Sequence, residues 1–365
     1  MVIVHVLSSF GVGGQERVAL DLAIGQAKRG HTVAVVSLAP PPDGPLAAEF
    51  AAAGIPSVTV AKRGGLDPTL VPRLALALRR LGAQIVHTHN PLPLIYAAPA
   101  GRLVGARVIH SKHGMNPTTS RGQTALRRGA ARLVSWFVAV SEVTGEQARE
   151  QRDVADRKLV VIPNGIRLER FAPNPALRAA VRAELGIPDD AWVVGTVGRL
   201  DDYKNQAMLV RVMAPVLGDK VRVVIVGDGP TRAQVEAAVA ALPEPRFAHV
   251  LGRRMDVDRI VPSFDVFALT SLTEGLPLVV PEAMSAGLPV VTTAVGGLPG
   301  VIDHGVTGFL SPVEDAPFAA HLETLRADPM RAHRMGAAAR EAALARFSAE
   351  RMVDDYLALY ARARA

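Results

Sequence analysis

The chain has 365 residues, 49% of them hydrophobic and 21% charged, with no cysteine and a formal net charge of +7. That length favours two domains, each large enough for its own core, and the composition suits a soluble globular protein. Absent cysteines exclude disulfides and thiolate metal sites and agree with a cytoplasmic setting; no apolar run is long enough for a transmembrane helix.

The first residues are apolar but lack a basic n-region and a cleavage site, so Val2–Leu7 reads as a strand and not as a signal peptide. A loop, Ser8–Gln15, leads to an amphipathic helix from about Glu16 to Arg29, capped by Gly30. Further strands are expected at Thr32–Leu38, Ser57–Val60, Ile85–His89, Arg107–His110, Phe137–Val140 and Leu159–Ile162, with helical patterns between them. The fragment Pro40 to Pro45 is a surface loop, because the alternation resumes at once.

After Pro163-Asn164-Gly165 the rhythm starts again. Strands are expected at Trp192–Val197, Val221–Val226, His249–Leu251, Val266–Leu269, Pro289–Thr292 and Gly308–Leu310. Strands alternating with helices mean βαβ units and parallel sheets. The chain therefore reads as α/β, two doubly wound domains with a cleft between them, divided as 1–165 and 166–347. Beyond Pro329 it is helical, with Leu344, Phe347, Met352, Tyr356, Leu359 and Tyr360 on apolar faces.

Charge is uneven. Up to Gly165 there are 19 Lys and Arg against 10 Asp and Glu, and beyond it 22 against 24. A basic first domain is either an ordinary arginine-rich surface or a face for anionic lipid or an anionic acceptor. Arg121, Arg127, Arg128 and Arg132 fall in one expected helix there. Nucleic acid is not an expected partner, since only 4% of residues are aromatic and no compact basic motif occurs.

The most informative stretch is Ser271–Val291, S-L-T-E-G-L-P-L-V-V-P-E-A-M-S-A-G-L-P-V-V. It reads as a loop after a buried strand, then a helix over Leu278–Ala286 with Pro277 in its first turn and Gly287 at its end. A helix N-terminus at a sheet edge favours an anion. Glu274 and Glu282 flank it, and carboxylates accept hydrogen bonds from sugar hydroxyls. Arg199, just after the strand Trp192–Val197, and Lys204 can converge on one dianionic diphosphate; pairing with Asp201 or Asp202 is the alternative. Gly11-Val12-Gly13-Gly14 is not a dinucleotide fingerprint, because Glu16 stands where a glycine is needed and the second strand lacks the ribose-binding acid. His87, His89, His110 and His113 lie near two neighbouring strand ends, without the acidic cluster that would make a metal site of them.

These motifs resemble glycosyltransferase family 4, whose retaining enzymes have the GT-B fold. The likeness rests on Glu274-x7-Glu282 and on an ordered set of motifs: Gly13-Gly14, His113-Gly114, Pro163 to Ile166, Val197 to Leu200 with Lys204, Val226 to Pro230, and Gly305 to Leu310. It implies two Rossmann-like domains facing across a cleft, with residues 348–365 packing back on the first. It also implies transfer of a sugar, with retention, from a nucleotide diphosphate sugar such as a UDP- or GDP-sugar to a hydroxyl acceptor, in polysaccharide, glycolipid or glycoconjugate synthesis. By the resemblance, Glu282 holds ribose, Arg199 and Lys204 the diphosphate with backbone near Leu278 and Val279, and Glu274 the sugar hydroxyls. Gly13 and Gly14 close over the donor, and His113 positions a hydroxyl or the acceptor. No metal or other cofactor is expected, since cationic side chains take the place of a divalent ion. The other readings are a nucleotide-sugar epimerase of the same fold and a non-catalytic sugar-nucleotide-binding subunit. The expected setting is the cytoplasm, with peripheral contact at an anionic inner membrane face as a further reading.

Overall fold

Each continuous apolar run becomes a strand because a parallel sheet covered on both faces buries both sides of it. The computed structural model describes residues 1–11, 13–41, 44–114 and 120–364. Val12 of the glycine-rich loop and Pro42 and Asp43 of the proline-rich loop lie outside the described residues.

In the first sheet the strands are β1 Val2–Leu7, β2 Thr32–Ser37, β3 Ser57–Thr59, β4 Ile85–His89, β5 Arg107–Lys112, β6 Trp136–Ala139 and β7 Leu159–Val161. They are parallel and lie in the order β3-β2-β1-β4-β5-β6-β7. The second sheet holds β8 Trp192–Val197, β9 Val221–Val226, β10 Ala248–Gly252, β11 Val266–Leu269, β12 Val290–Thr293 and β13 Gly308–Ser311. It too is parallel, in the order β10-β9-β8-β11-β12-β13. These strands match the expected runs to within two residues at each end.

The chain divides into two compact units. One comprises Met1–Ile166 and the closing helix Ala349–Arg364; the other is Arg167–Ser348. In the first, Val4, Val6, Val36, Val86 and Val108 form one side of the core with Leu74 and Leu94. In the second, Val194, Val223, Ile225, Ala268 and Val291 pack against helices through Leu209, Phe318 and Leu322.

The closing helix is held to the first unit by buried Met352, Val353, Tyr356 and Tyr360. The N–H of Gly165 donates to Met352 Sδ, and that of Ala349 to the Ile166 carbonyl. Leu344, expected on an apolar face, is instead 48% exposed on the preceding helix Pro329–Arg346. That helix turns Met335, Gly336, Ala339 and Ala343 inward, and Leu344 falls off this stripe.

Candidate functional site

In each sheet the strand order reverses direction at one point, between β1 and β4 in the first and between β8 and β11 in the second. Chains leaving the carboxyl ends of such a strand pair run to opposite sides and leave a crevice, where open α/β sheets bind ligands. The sequence motifs fall at both points.

At the second, the loop after β8 carries Arg199 and Lys204, and the loop after β11 carries Ser271 and Glu274. The two loops are stitched together. The N–H of Leu272 donates to the Tyr203 carbonyl at 2.7 Å, and Thr270 Oγ1 to the Asn205 carbonyl at 2.9 Å. Asn205 holds a left-handed backbone at φ 49°, which asparagine tolerates better than most residues. Gly227, after β9, lies so close to the first loop that a Cβ would sit 1.8 Å from the Gly198 carbonyl oxygen. Gly296, after β12, is equally tight on the Glu274 carbonyl oxygen at 1.8 Å and has φ +55°. No side chain fits either place.

Lys204 Nζ donates to Glu274 Oε1 at 2.5 Å, and Ser271 Oγ donates to the same oxygen at 2.6 Å. Glu274 is 8% exposed, while the Lys204 side chain retains 20%. Arg199 does not share this pairing. Its Nε lies 3.8 Å from Asp201, and its side chain is 68% exposed. Each of the two cations is thus paired with a carboxylate of its own, Lys204 with Glu274 and Arg199 loosely with Asp201. The helix after Glu274 spans Val279–Ser285, shorter than expected, with Leu278 as its N-cap and Pro277 outside the first turn. Glu282 sits in that first turn, buried and with interaction partners of its own. Gly287, at φ +75°, follows the C-cap Ala286.

At the switch point of the first sheet, Gly13 is the N-cap of a helix that starts at Gly14, two residues before its expected beginning. Gly13 is extended at φ −150°, so no left-handed turn demands glycine; a Cβ would instead press on Glu16 Oε2 at 2.4 Å. On the other side, Asn90 follows β4 with φ 67° and ψ 172°, a region otherwise left to glycine. Its Oδ1 accepts from the backbone N–H of His113, and its Nδ2 donates to Gln15. The strained asparagine thus fixes the backbone at His113.

The His113 ring joins a buried network. His113 Nε2 lies 2.8 Å from His89 Nδ1, His89 Nε2 lies 3.0 Å from His5 Nδ1, and His5 Nε2 lies 2.9 Å from Gln26 Oε1. Gln26 Nε2 donates to Tyr360 OH, which is 2.6 Å from His87 Nδ1. His87 Nε2 meets Ser111 Oγ at 2.7 Å, and Ser111 meets Tyr356 OH. The register pairs His5 with His87, and the period-2 alternation of a strand sends His87 and His89 to one face. Burial lowers His5 and His113 to about 4, with Gln26 and Asn164 respectively opposing the shift. His87 and His89 fall well below the ordinary imidazole value, through burial and then neighbouring imidazoles. His110 faces Thr88 Oγ1 and the Phe137 ring instead, apart from this chain.

His5, His87 and His89 bring one ring nitrogen each within 4.8 Å of one another. All six of their ring nitrogens already have hydrogen-bond partners within the protein, so a metal ion would have to displace them. Sequence reasoning passed over His5, Asn90 and Gly296. Only the steric oddity of a histidine inside an apolar strand could have drawn attention to the first.

Two parallel-sheet α/β domains, each with its conspicuous residues at the switch point, define a GT-B glycosyltransferase fold. Residues 178–342 match the family described as "Glycosyl transferases group 1", and residues 12–170 match "Glycosyltransferase Family 4". The D-inositol 3-phosphate glycosyltransferase of Saccharomonospora viridis is 30% identical over 97% of this chain and 90% of its own length. EpsF of Bacillus subtilis is 31% identical, over 61% of each chain. Among solved structures, Anabaena HepE in complex with UDP superposes with a TM-score of 0.87 at 23% identity, covering 99% of this chain and 100% of that one. The chain belongs to glycosyltransferase family 4 and is an enzyme of the hexosyltransferase type.

Proposed function

We propose that the protein moves a sugar from a nucleotide diphosphate sugar to a hydroxyl acceptor with retention at the anomeric carbon, in glycoconjugate biosynthesis. The observation that carries this reading is the grouping of Arg199, Lys204 and Glu274 on two stitched loops at the β8/β11 switch point. Arg199 and Lys204 take the diphosphate, with the backbone N–H groups of Leu278 and Val279. Glu274 accepts from sugar hydroxyls and Glu282 from the ribose. In the first unit, Gly13 and Gly14 open a helix N-terminus suited to an anionic part of the donor, and His113 positions the acceptor hydroxyl.

In the reaction, the bond from the anomeric carbon to the diphosphate oxygen breaks as the acceptor oxygen bonds to the same face. The acceptor proton passes to the departing phosphate. The two cations stabilise the charge that develops there, which is the task a divalent metal would otherwise perform. Likeness to a structure solved with UDP favours a uridine nucleotide as the first donor to try.

The test is a screen of UDP- and GDP-sugars for slow hydrolysis, with and without EDTA. We expect one donor to release its sugar with the anomeric configuration kept, and chelation to leave the rate unchanged. Inverted product, an isomerised free sugar, or a loss restored by Mg²⁺ or Mn²⁺ would each overturn the corresponding part of the reading.

A further inference from the structure

The histidine chain has a direction, and Gln26 sets it. Gln26 Oε1 can only accept, so His5 Nε2, 2.9 Å away, must carry the proton. A neutral imidazole has one N–H, which leaves His5 Nδ1 bare and obliges His89 Nε2 to donate to it. His89 Nδ1 is then bare in turn, and His113 Nε2 donates to it. A second branch leaves Gln26 through its amide nitrogen. Gln26 Nε2 donates to Tyr360 OH, which pairs with His87 Nδ1, and His87 Nε2 pairs with Ser111 Oγ. Tyr360 thus accepts from the amide in the orientation that His5 Nε2–H requires. Burial keeps the three imidazoles of the first branch uncharged near neutral pH.

At the far end of the branch, His113 Nδ1 is shielded from solvent and has no hydrogen-bond partner among the described residues. Asn164 Oδ1, from the segment that ends the first unit, is buried beside His113, opposes the lowering of its pKa, and makes no hydrogen bond of ordinary geometry among the described residues. With His113 Nδ1 bare, this pair suits a ligand that brings a hydroxyl proton.

We propose that Gln26, acting through His5 and His89, fixes His113 as the Nε2–H tautomer and so presents its bare Nδ1 to a substrate hydroxyl. Gln26, His5 and His89 are then positioning residues, with Gln26 three imidazole rings from the group it controls. This rests on the role given to His113 above.

The experiment is ¹⁵N NMR of protein labelled at histidine, with long-range ¹H–¹⁵N correlations and the His113 signals identified by their loss in His113→Asn. The wild type should show neutral Nε2–H imidazoles at His5, His89 and His113. Gln26→Met, checked for native circular dichroism, should give a mixture of tautomers at His113. It should also lower kcat severalfold while leaving the donor KM within about twofold. An Nδ1–H or doubly protonated His113 in the wild type would overturn the proposal without any variant having to fold. So would an unchanged tautomer in Gln26→Met. Full turnover by His113→Ala would instead remove the role of His113 in the reaction, and with it the purpose of the relay, whatever tautomer NMR finds.

Discussion

Lys204 and Glu274 are bonded to each other across 2.5 Å, although 69 residues separate them between the loops after β8 and β11. The carboxylate occupies the ammonium that we assign to the donor diphosphate. Donor binding then exchanges one anion for another at Lys204 and releases Glu274 toward sugar hydroxyls. Lys204→Ala should weaken nucleotide diphosphate binding by about ten- to a hundredfold, the worth of a charge-assisted contact. Glu274→Gln keeps an acceptor for Ser271 but removes the negative charge that holds the lysine, so it should bind the nucleotide at least as tightly while turning over far more slowly. Calorimetry and donor hydrolysis on the two variants separate these effects; weaker nucleotide binding by Glu274→Gln would contradict the exchange.

Arg199 is mostly exposed and only loosely paired with Asp201. Arg199→Ala should therefore leave thermal stability nearly unchanged, within about 0.5 kcal/mol as for ordinary surface positions. Nucleotide affinity should fall by about tenfold or more. Asp201→Asn serves as the control and should alter affinity little. A large loss of stability in Arg199→Ala, measured by urea titration, would mean that the residue is structural.

Gly296 offers a test of how the Glu274 loop is held. A methyl group there meets the Glu274 carbonyl oxygen and must also adopt φ +55°. Gly296→Ala should cost about 1–3 kcal/mol in stability and reduce turnover, because the backbone of the acid must move. Gly300→Ala, where a Cβ meets nothing within 4 Å, should do neither.

The buried histidines make stability depend on pH. His5, His87, His89, His110 and His113 all have folded pKa values below the ordinary 6.5, chiefly through burial. The unfolded chain therefore binds more protons as pH falls, and their contribution is full above 6.5 and lost on the way down toward 4. Each can add up to about 1.4 kcal/mol per pH unit to the slope. Glu16, raised by burial, works in the opposite sense, one group against five. Urea midpoints should drop steeply between about pH 7 and about pH 5, and less steeply in His5→Gln. A flat profile would show that the imidazoles charge freely in the folded state.

The helix Arg121–Ala131 tests the membrane reading. Arg127 is buried against Asp153, which Lys112 also reaches, and Arg128 donates to the Gln151 carbonyl. Arg121 and Arg132 remain exposed beside Leu126 and Leu133. No helix among the described residues is long and apolar enough to cross a membrane. If this face is a peripheral membrane contact and not an ordinary solvated helix, the protein should sediment with anionic vesicles and release with salt, over a Debye length of about 10 Å at 0.1 M. Sedimentation should fall when Arg121, Arg128 and Arg132 are changed together to Ser. Equal sedimentation with neutral vesicles, or by the triple variant, would discard this face as the contact.

Strands were legible in the sequence because a strand buried on both sides is largely apolar, as in Val-Phe-Ala-Leu at β11 and Val-Arg-Val-Val-Ile-Val at β9. The parallel α/β class followed from their alternation with helices, and the spacing of Glu274 and Glu282 could be counted. Strand order could not be, since largely apolar strands carry no mark of which neighbour they pair with. That order alone sets β8 beside β11 and so gives Lys204 to Glu274, leaving Arg199 to the nearer Asp201. It also sets β1 beside β4, which turns His5 from one polar residue in an apolar run into the middle of a hydrogen-bonded chain. Gln26 and Tyr360 meet His5 and His87 only because two helices cover the same face of the first sheet. Local pattern determines which residues are buried, and long-range packing decides which of them touch.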